Sequence, residues 1–132
     1  MIRSSFEISV CGKPWKITIF LPITRYHVKE IMHTLLSIGI NKENYNDAVE
    51  NLLSGNINNG ITFSSAAHRT TVSVWAIASS PAEYFNLIVH ELHHLSVQIA
   101  SCNDIDLEGE DVCYINGDIA QYLYPLCKPL II

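Results

Sequence analysis

Apolar positions along the chain follow two periodicities, and the switches between them divide it into elements. From Phe6 to Val10 and from Trp15 to Leu21 apolar and polar residues alternate, as in half-buried strands. Cys11-Gly12-Lys13-Pro14 between them reads as a hairpin connection, and Pro22 closes the second strand. After Thr24, a residue able to cap a helix, Val28, Ile31, Met32, Leu35 and Leu36 fall at the i, i+3, i+4, i+7, i+8 spacing of one helical face. Gly39 supplies the stop. Tyr45, Ala48, Val49, Leu52 and Leu53 repeat the spacing before Gly55. Asn56-Ile57-Asn58-Asn59-Gly60 is a turn cluster, and beyond it Ile61 to Ser64 and Thr70 to Ala78 read as strands joined across Ala66-Ala67-His68-Arg69.

Ser80-Pro81-Ala82-Glu83 combines an N-cap serine, a proline at the first helical position and a glutamate at the third, the pattern of a capping box. It predicts a long helix to about Ala100. A polar loop through Ser101-Cys102-Asn103-Asp104 follows, then a last helix from Glu108 or Glu110 to Tyr124, with Pro125 as its stop. Sheet elements and helices first, then two helices in succession, predict one small α+β domain over residues 1–132, with a short antiparallel or mixed sheet.

Composition agrees with one core: 132 residues, 48% hydrophobic and 16% charged, exclude a disordered tail or a fibrous repeat. No stretch approaches the roughly 18 apolar residues of a membrane span. The formal net charge is −5, and it is unevenly spread. Residues 1–69 carry seven basic and five acidic side chains, whereas residues 70–132 carry eight acids and only Lys128. Without a basic patch in that half, nucleic acid is not an expected partner. Met1 to Ile8 have no apolar core of a secretory signal, so the cytoplasm is the expected compartment. Cys11, Cys102, Cys113 and Cys127, with no Cys-x-x-Cys pair, are expected as free thiols.

Candidate chemistry sits in the long helix, at His90-Glu91-Leu92-His93-His94. Histidines four apart on a helix lie about 40° apart around its axis, so both imidazoles can reach one cation, and the intervening glutamate can act as a base towards water. With His90 at 0°, the apolar residues Phe85, Ile88, Leu92, Leu95 and Ile99 gather between roughly 140° and 220°. The histidines therefore lie off the core stripe. Leu87 and Val97 on the histidine side suggest that another element covers that face. His93, near 300°, allows a lesser His90/His93 pairing and is more readily a packing or supporting residue.

A catalytic zinc needs a third protein ligand. His27, His33 and His68 all precede the motif, so carboxylates after it are the better source: Glu110 foremost, with Glu108, Asp111, Asp104 and Asp106 as alternatives. On the wheel of the last helix Glu110 heads a polar face with Tyr114, Gly117 and Gln121, and Gly117 would allow close approach of the two helices.

The segment from about Thr70 to Tyr124 resembles short zincin-like proteins of phages, prophages and related mobile elements, described as metallopeptidases. Ile88-Val89-His90-Glu91-Leu92-His93-His94 and Gly109-Glu110-Asp111-Val112-Cys113-Tyr114-Ile115-Asn116-Gly117-Asp118-Ile119 carry the likeness. The resemblance implies zinc ligands His90, His94 and Glu110, with Glu91 as catalytic base. Tyr114 stands where the better-known gluzincin pattern has an aspartate, which leaves Asp118 or Asp111 to support the ligand histidines. The expected activity is zinc-dependent hydrolysis of a peptide or protein substrate. The strand Thr70 to Ala78 would pair with that substrate, and Tyr114 would donate to the developing oxyanion. A binding or assembly protein with a structural or vestigial metal site is the competing expectation.

Overall fold

A computed structural model describes residues 2–21, 28–53, 61–76 and 78–132. Eight elements follow in order: β1 (Ile2–Val10), β2 (Lys13–Leu21), α1 (Val28–Ser37), α2 (Lys42–Leu53), β3 (Ile61–Ser65), β4 (Thr70–Val74), α3 (Pro81–Cys102) and α4 (Glu110–Ile131). The strands form one mixed sheet in the order β1-β2-β4-β3. β1 and β2 are an antiparallel hairpin, β2 and β4 run parallel, and β3 lies antiparallel to β4 at the rim. The α+β class expected from the sequence is the one observed.

The hairpin turns on two residues, because Val10 pairs with Lys13 and both Cys11 (φ 53°) and Gly12 (φ 76°) sit in the left-handed region. Positive φ at both central positions matches the turn twist to the strand twist. Pro14 is tolerated in β2 because the parallel pairing with β4 begins only at Lys16. Arg69 ties the mouth of the hairpin shut: its guanidinium donates to the carbonyls of Val10 (2.8 Å), Lys13 (3.2 Å) and Pro14 (3.0 Å) and to Asn103 Oδ1 (3.3 Å). Its charge serves the fold.

Strand alternation sends opposite faces of the sheet to two cores. Trp15, Ile17, Ile19 and Leu21 of β2 join Ile8, Val10 and Trp75 in burying Leu95 and Ile99 of α3 and Ile115, Ile119, Leu123 and Cys127 of α4. Phe20, Val72 and Val74 point the other way, onto Ile31, Met32 and Leu35 of α1 and Ala48 and Leu52 of α2. Each such aliphatic side chain contributes about 1.5–3 kcal/mol by leaving water. α1 ends as Gly39 predicts: at φ 86° its N–H meets the Leu36 carbonyl (3.2 Å) and the Ile40 N–H meets that of Leu35 (3.2 Å), a Schellman closure. The expected cap at Thr24 and the Asn56–Gly60 turn lie outside the described residues.

Three expectations need correction. α4 does not stop at Pro125 but runs to Ile131 with Pro125 and Pro129 inside it. Leu126, Cys127 and Leu130 continue the packing against the α3 core, and that burial outweighs the roughly 3 kcal/mol cost of an interior proline. β4 ends at Val74 rather than Ala78, and it is an interior strand, so its edges are already paired. Phe85, expected in the core stripe, is 58% exposed, because α3 leaves the packed layer towards its N-terminus. Among the described residues no helix is long and apolar enough to cross a membrane.

Candidate metal centre

α3 starts where the sequence places it. Ser80 Oγ accepts from the Glu83 N–H at 3.2 Å and Pro81 opens the helix. Glu83 reaches one residue further back than an ordinary capping box, accepting from the Ser79 N–H (2.9 Å) and the Ser79 hydroxyl. Those two bonds hold its carboxyl below the usual carboxylate range. The rigid helix so begun carries the motif three turns along.

His90 and His94 converge. Their Nε2 atoms are 3.2 Å apart and the rings meet edge to face at 72°. Two nitrogens bound to one tetrahedral zinc at about 2.0–2.1 Å stand roughly 3.3–3.4 Å apart, so the separation of this hydrogen-bonded pair is close to that of two corners of such a site, two of the three protein ligands that a catalytic zinc needs. Both histidines, and His93 beside them, are exposed, and the face expected to be covered is open among the described residues. His90 also borders a shallow hollow of about 530 Å³ with Ala82, Phe85, Asn86 and Val89.

Glu91 points the other way, into the body, and is 4% exposed. Burial raises its pKa above the ordinary value, while the neighbouring His94 and His90 and a hydrogen bond from Thr62 act in the opposite sense. The Thr62 hydroxyl is the last of three donors in series. Trp75 Nε1, which can only donate, gives its proton to Ser73 Oγ (2.7 Å). Ser73 and Thr62 share a bond of 2.8 Å, so with the indole on one side the Ser73 proton goes to Thr62 and the Thr62 proton to Glu91. A parallel set runs from Trp15 Nε1 to Thr71 (2.9 Å), Ser64 (2.7 Å) and Gln98 Oε1 (2.8 Å), and Gln98 Nε2 returns to the Thr62 carbonyl at 3.0 Å. Glu91 is thereby held against β3. These polar residues were not singled out from the sequence. Their signal is the run of hydroxyls at alternate positions, Thr62 and Ser64 facing Thr71 and Ser73, on a strand face that should otherwise be apolar.

Glu110 does not join the histidines. Ser96 Oγ donates to Asn116 Oδ1 (2.8 Å), which fixes how the antiparallel α3 and α4 line up. Glu110 then lies eight residues of helix, roughly 12 Å along the axis, from the level of His94, exposed at the first position of α4. The short connection from Cys102 to Glu110 imposes this, because it sets the start of α4 against the far end of α3. Asp118 is at the level of His94 but about 200° around α4 from Asn116. With Asp111 and Tyr114 it borders a separate hollow beside Cys11. Tyr114 is 65% exposed on that far face, away from the histidines. Gly117 has no neighbour within 4 Å of where a Cβ would stand, so no close helix approach depends on it. Among the described residues no three His, Cys, Asp or Glu side chains converge as a metal-holding group.

Comparison of the chain with protein-family models, with curated proteins and with solved structures finds no match.

Proposed function

We propose that the chain is a zinc-dependent hydrolase acting on peptide bonds, with His90 and His94 as metal ligands and Glu91 as general base. The observation that carries this reading is the convergence of the two Nε2 atoms beside a buried carboxylate that a directed chain of hydroxyls holds in place. When bound there, zinc supplies a lowered pKa for water and polarises the scissile carbonyl. With zinc held there, Glu91 would take the proton of the attacking water and deliver it to the leaving amine. The Thr62 hydroxyl bonds to the carboxyl and fixes its orientation.

The substrate strand is assigned to β3 instead of β4. The backbones of Arg69 and Trp75 bond to β2 (Lys16 N–H to Arg69 carbonyl, 3.0 Å; Trp75 N–H to Phe20 carbonyl, 2.9 Å). Strand alternation then turns Thr70, Val72 and Val74 towards β3, where they meet Ser65, Phe63 and Ile61. The backbones of Thr62 and Ser64 are thus directed at the edge that no described strand pairs, where the Thr62 carbonyl accepts from Gln98 Nε2. The four free cysteines fit a reducing compartment, the cytoplasm.

The position of Glu110 favours one other reading, a binding module whose two-histidine pair holds metal weakly. Glu91→Gln separates the two. The hydrolase reading expects zinc to be kept and cleavage of a pooled peptide mixture to fall by about 10²–10⁴-fold. Unchanged cleavage would remove Glu91 from the mechanism.

A further inference from the structure

We propose that the rim of the sheet selects extended peptides carrying a basic side chain, which enters a hollow between β3 and α2 on the opposite face of the sheet from the histidines. The inference rests on the peptide-bond reading above and specifies its substrate. Side chains of β3 alternate: Thr62 and Ser64 face α3, whereas Ile61 and Phe63 face the α1 and α2 layer. A strand added at the free edge obeys the same alternation. Its residue opposite Ile61 or Phe63 therefore points onto the α2 side, while its neighbours point to the side of Glu91.

On that α2 side lies a hollow of about 320 Å³, walled by Ile61 and Phe63 from the strand and by Asn44, Asp47 and Ala48 from the helix. It reaches the rim itself, since Thr62 also borders it. The floor suits a hydrocarbon stem and the upper wall suits a cationic head. Charge points the same way. Asp47 supplies the carboxylate of the wall among the described residues, and Glu43 and Glu50 lie further round α2, within about 60° of arc of it. Among the described residues the one ion pair within 4 Å is Arg3 with Glu30 at 3.5 Å, so none of these three acids has a cationic partner there. Among the described residues no basic side chain borders the hollow. A lysine or arginine head gains the attraction of the Asp47 carboxylate in the wall, and a glutamate in the same place meets its repulsion.

The test uses the full chain with Glu91→Gln, so that bound peptide is not consumed, and two capped nine-residue probes that alternate threonine with lysine or threonine with glutamate. Amide shifts report both affinity and place. The lysine probe should bind about tenfold or more tighter than the glutamate probe, with the Thr62 and Ser64 amides moving most. Asp47→Lys, an exposed surface change, should abolish that preference. Equal binding of both probes, no binding of either, or a preference that survives Asp47→Lys overturns the inference. Failure of the zinc reading is seen separately, in the metal content of the same sample.

Discussion

The Nε2 atoms of His90 and His94 stand 3.2 Å apart on the open face of α3, while Glu91 between them is turned 100° away into the sheet. One helical turn thus presents two imidazoles to solvent and one carboxylate to a buried, hydrogen-bonded wall. The helix must be rigid for this to persist, and its rigidity comes from Leu95 and Ile99, both fully buried on the side opposite His90.

Leu95→Ala should therefore destabilise the fold by about 2–5 kcal/mol, the usual cost of truncating a fully buried leucine. Phe85→Ala, ten residues earlier on the same expected stripe, should change stability by no more than about 0.5 kcal/mol, since Phe85 is 58% exposed. Chemical denaturation of the two variants checks the pair, and equal effects would show that α3 packs along its whole length.

Acid should weaken the start of α3. The folded-state pKa of Glu83 is lowered by its bonds to Ser79, so its stabilising contribution is complete above the unfolded carboxylate pKa and is lost as pH falls through the folded value. Glu83→Gln should flatten the dependence of Tm on pH in the acid range, with the largest loss of stability at neutral pH. A Tm–pH profile unchanged by the substitution would remove the Ser79 bonds from the account. Ser80→Ala should cost about 1 kcal/mol at every pH, because its cap does not titrate.

Native thiol labelling should distinguish the four cysteines. Cys11 and Cys113 are exposed, whereas burial pushes the Cys127 thiol up to about 11 and also raises that of Cys102. At pH 8 a maleimide should modify Cys11 and Cys113 within minutes and Cys127 only on unfolding. Rapid native reaction at Cys127 would mean that the C-terminal turns of α4 are not docked.

Local chemistry was legible in the sequence wherever the cause was local. The Gly39 stop, the Ser80 cap and the alternation of β1 and β2 all depend on residues within a turn or a strand of one another, and each is found in the structure. Pro125 misleads because a local rule competes with tertiary burial of Cys127 and Leu130, and burial wins. Glu110 misleads for a different reason. A helical wheel gives the angle of a residue on its own helix but not its level against another, and the Ser96–Asn116 contact that sets that level spans 20 residues. Strand order has the same character: nothing within Ile61–Ser65 says that it lies outside β4.

The central claim is that His90 and His94 together hold a divalent cation without Glu110. Zinc content and affinity, measured after dialysis on the wild type and on the His94→Ala, Glu91→Gln and Glu110→Ala proteins, test it most directly. The account predicts one zinc per chain in the wild type, unchanged binding in Glu91→Gln and Glu110→Ala, and loss in His94→Ala. Absence of zinc from the wild type, or its retention in His94→Ala, would contradict it.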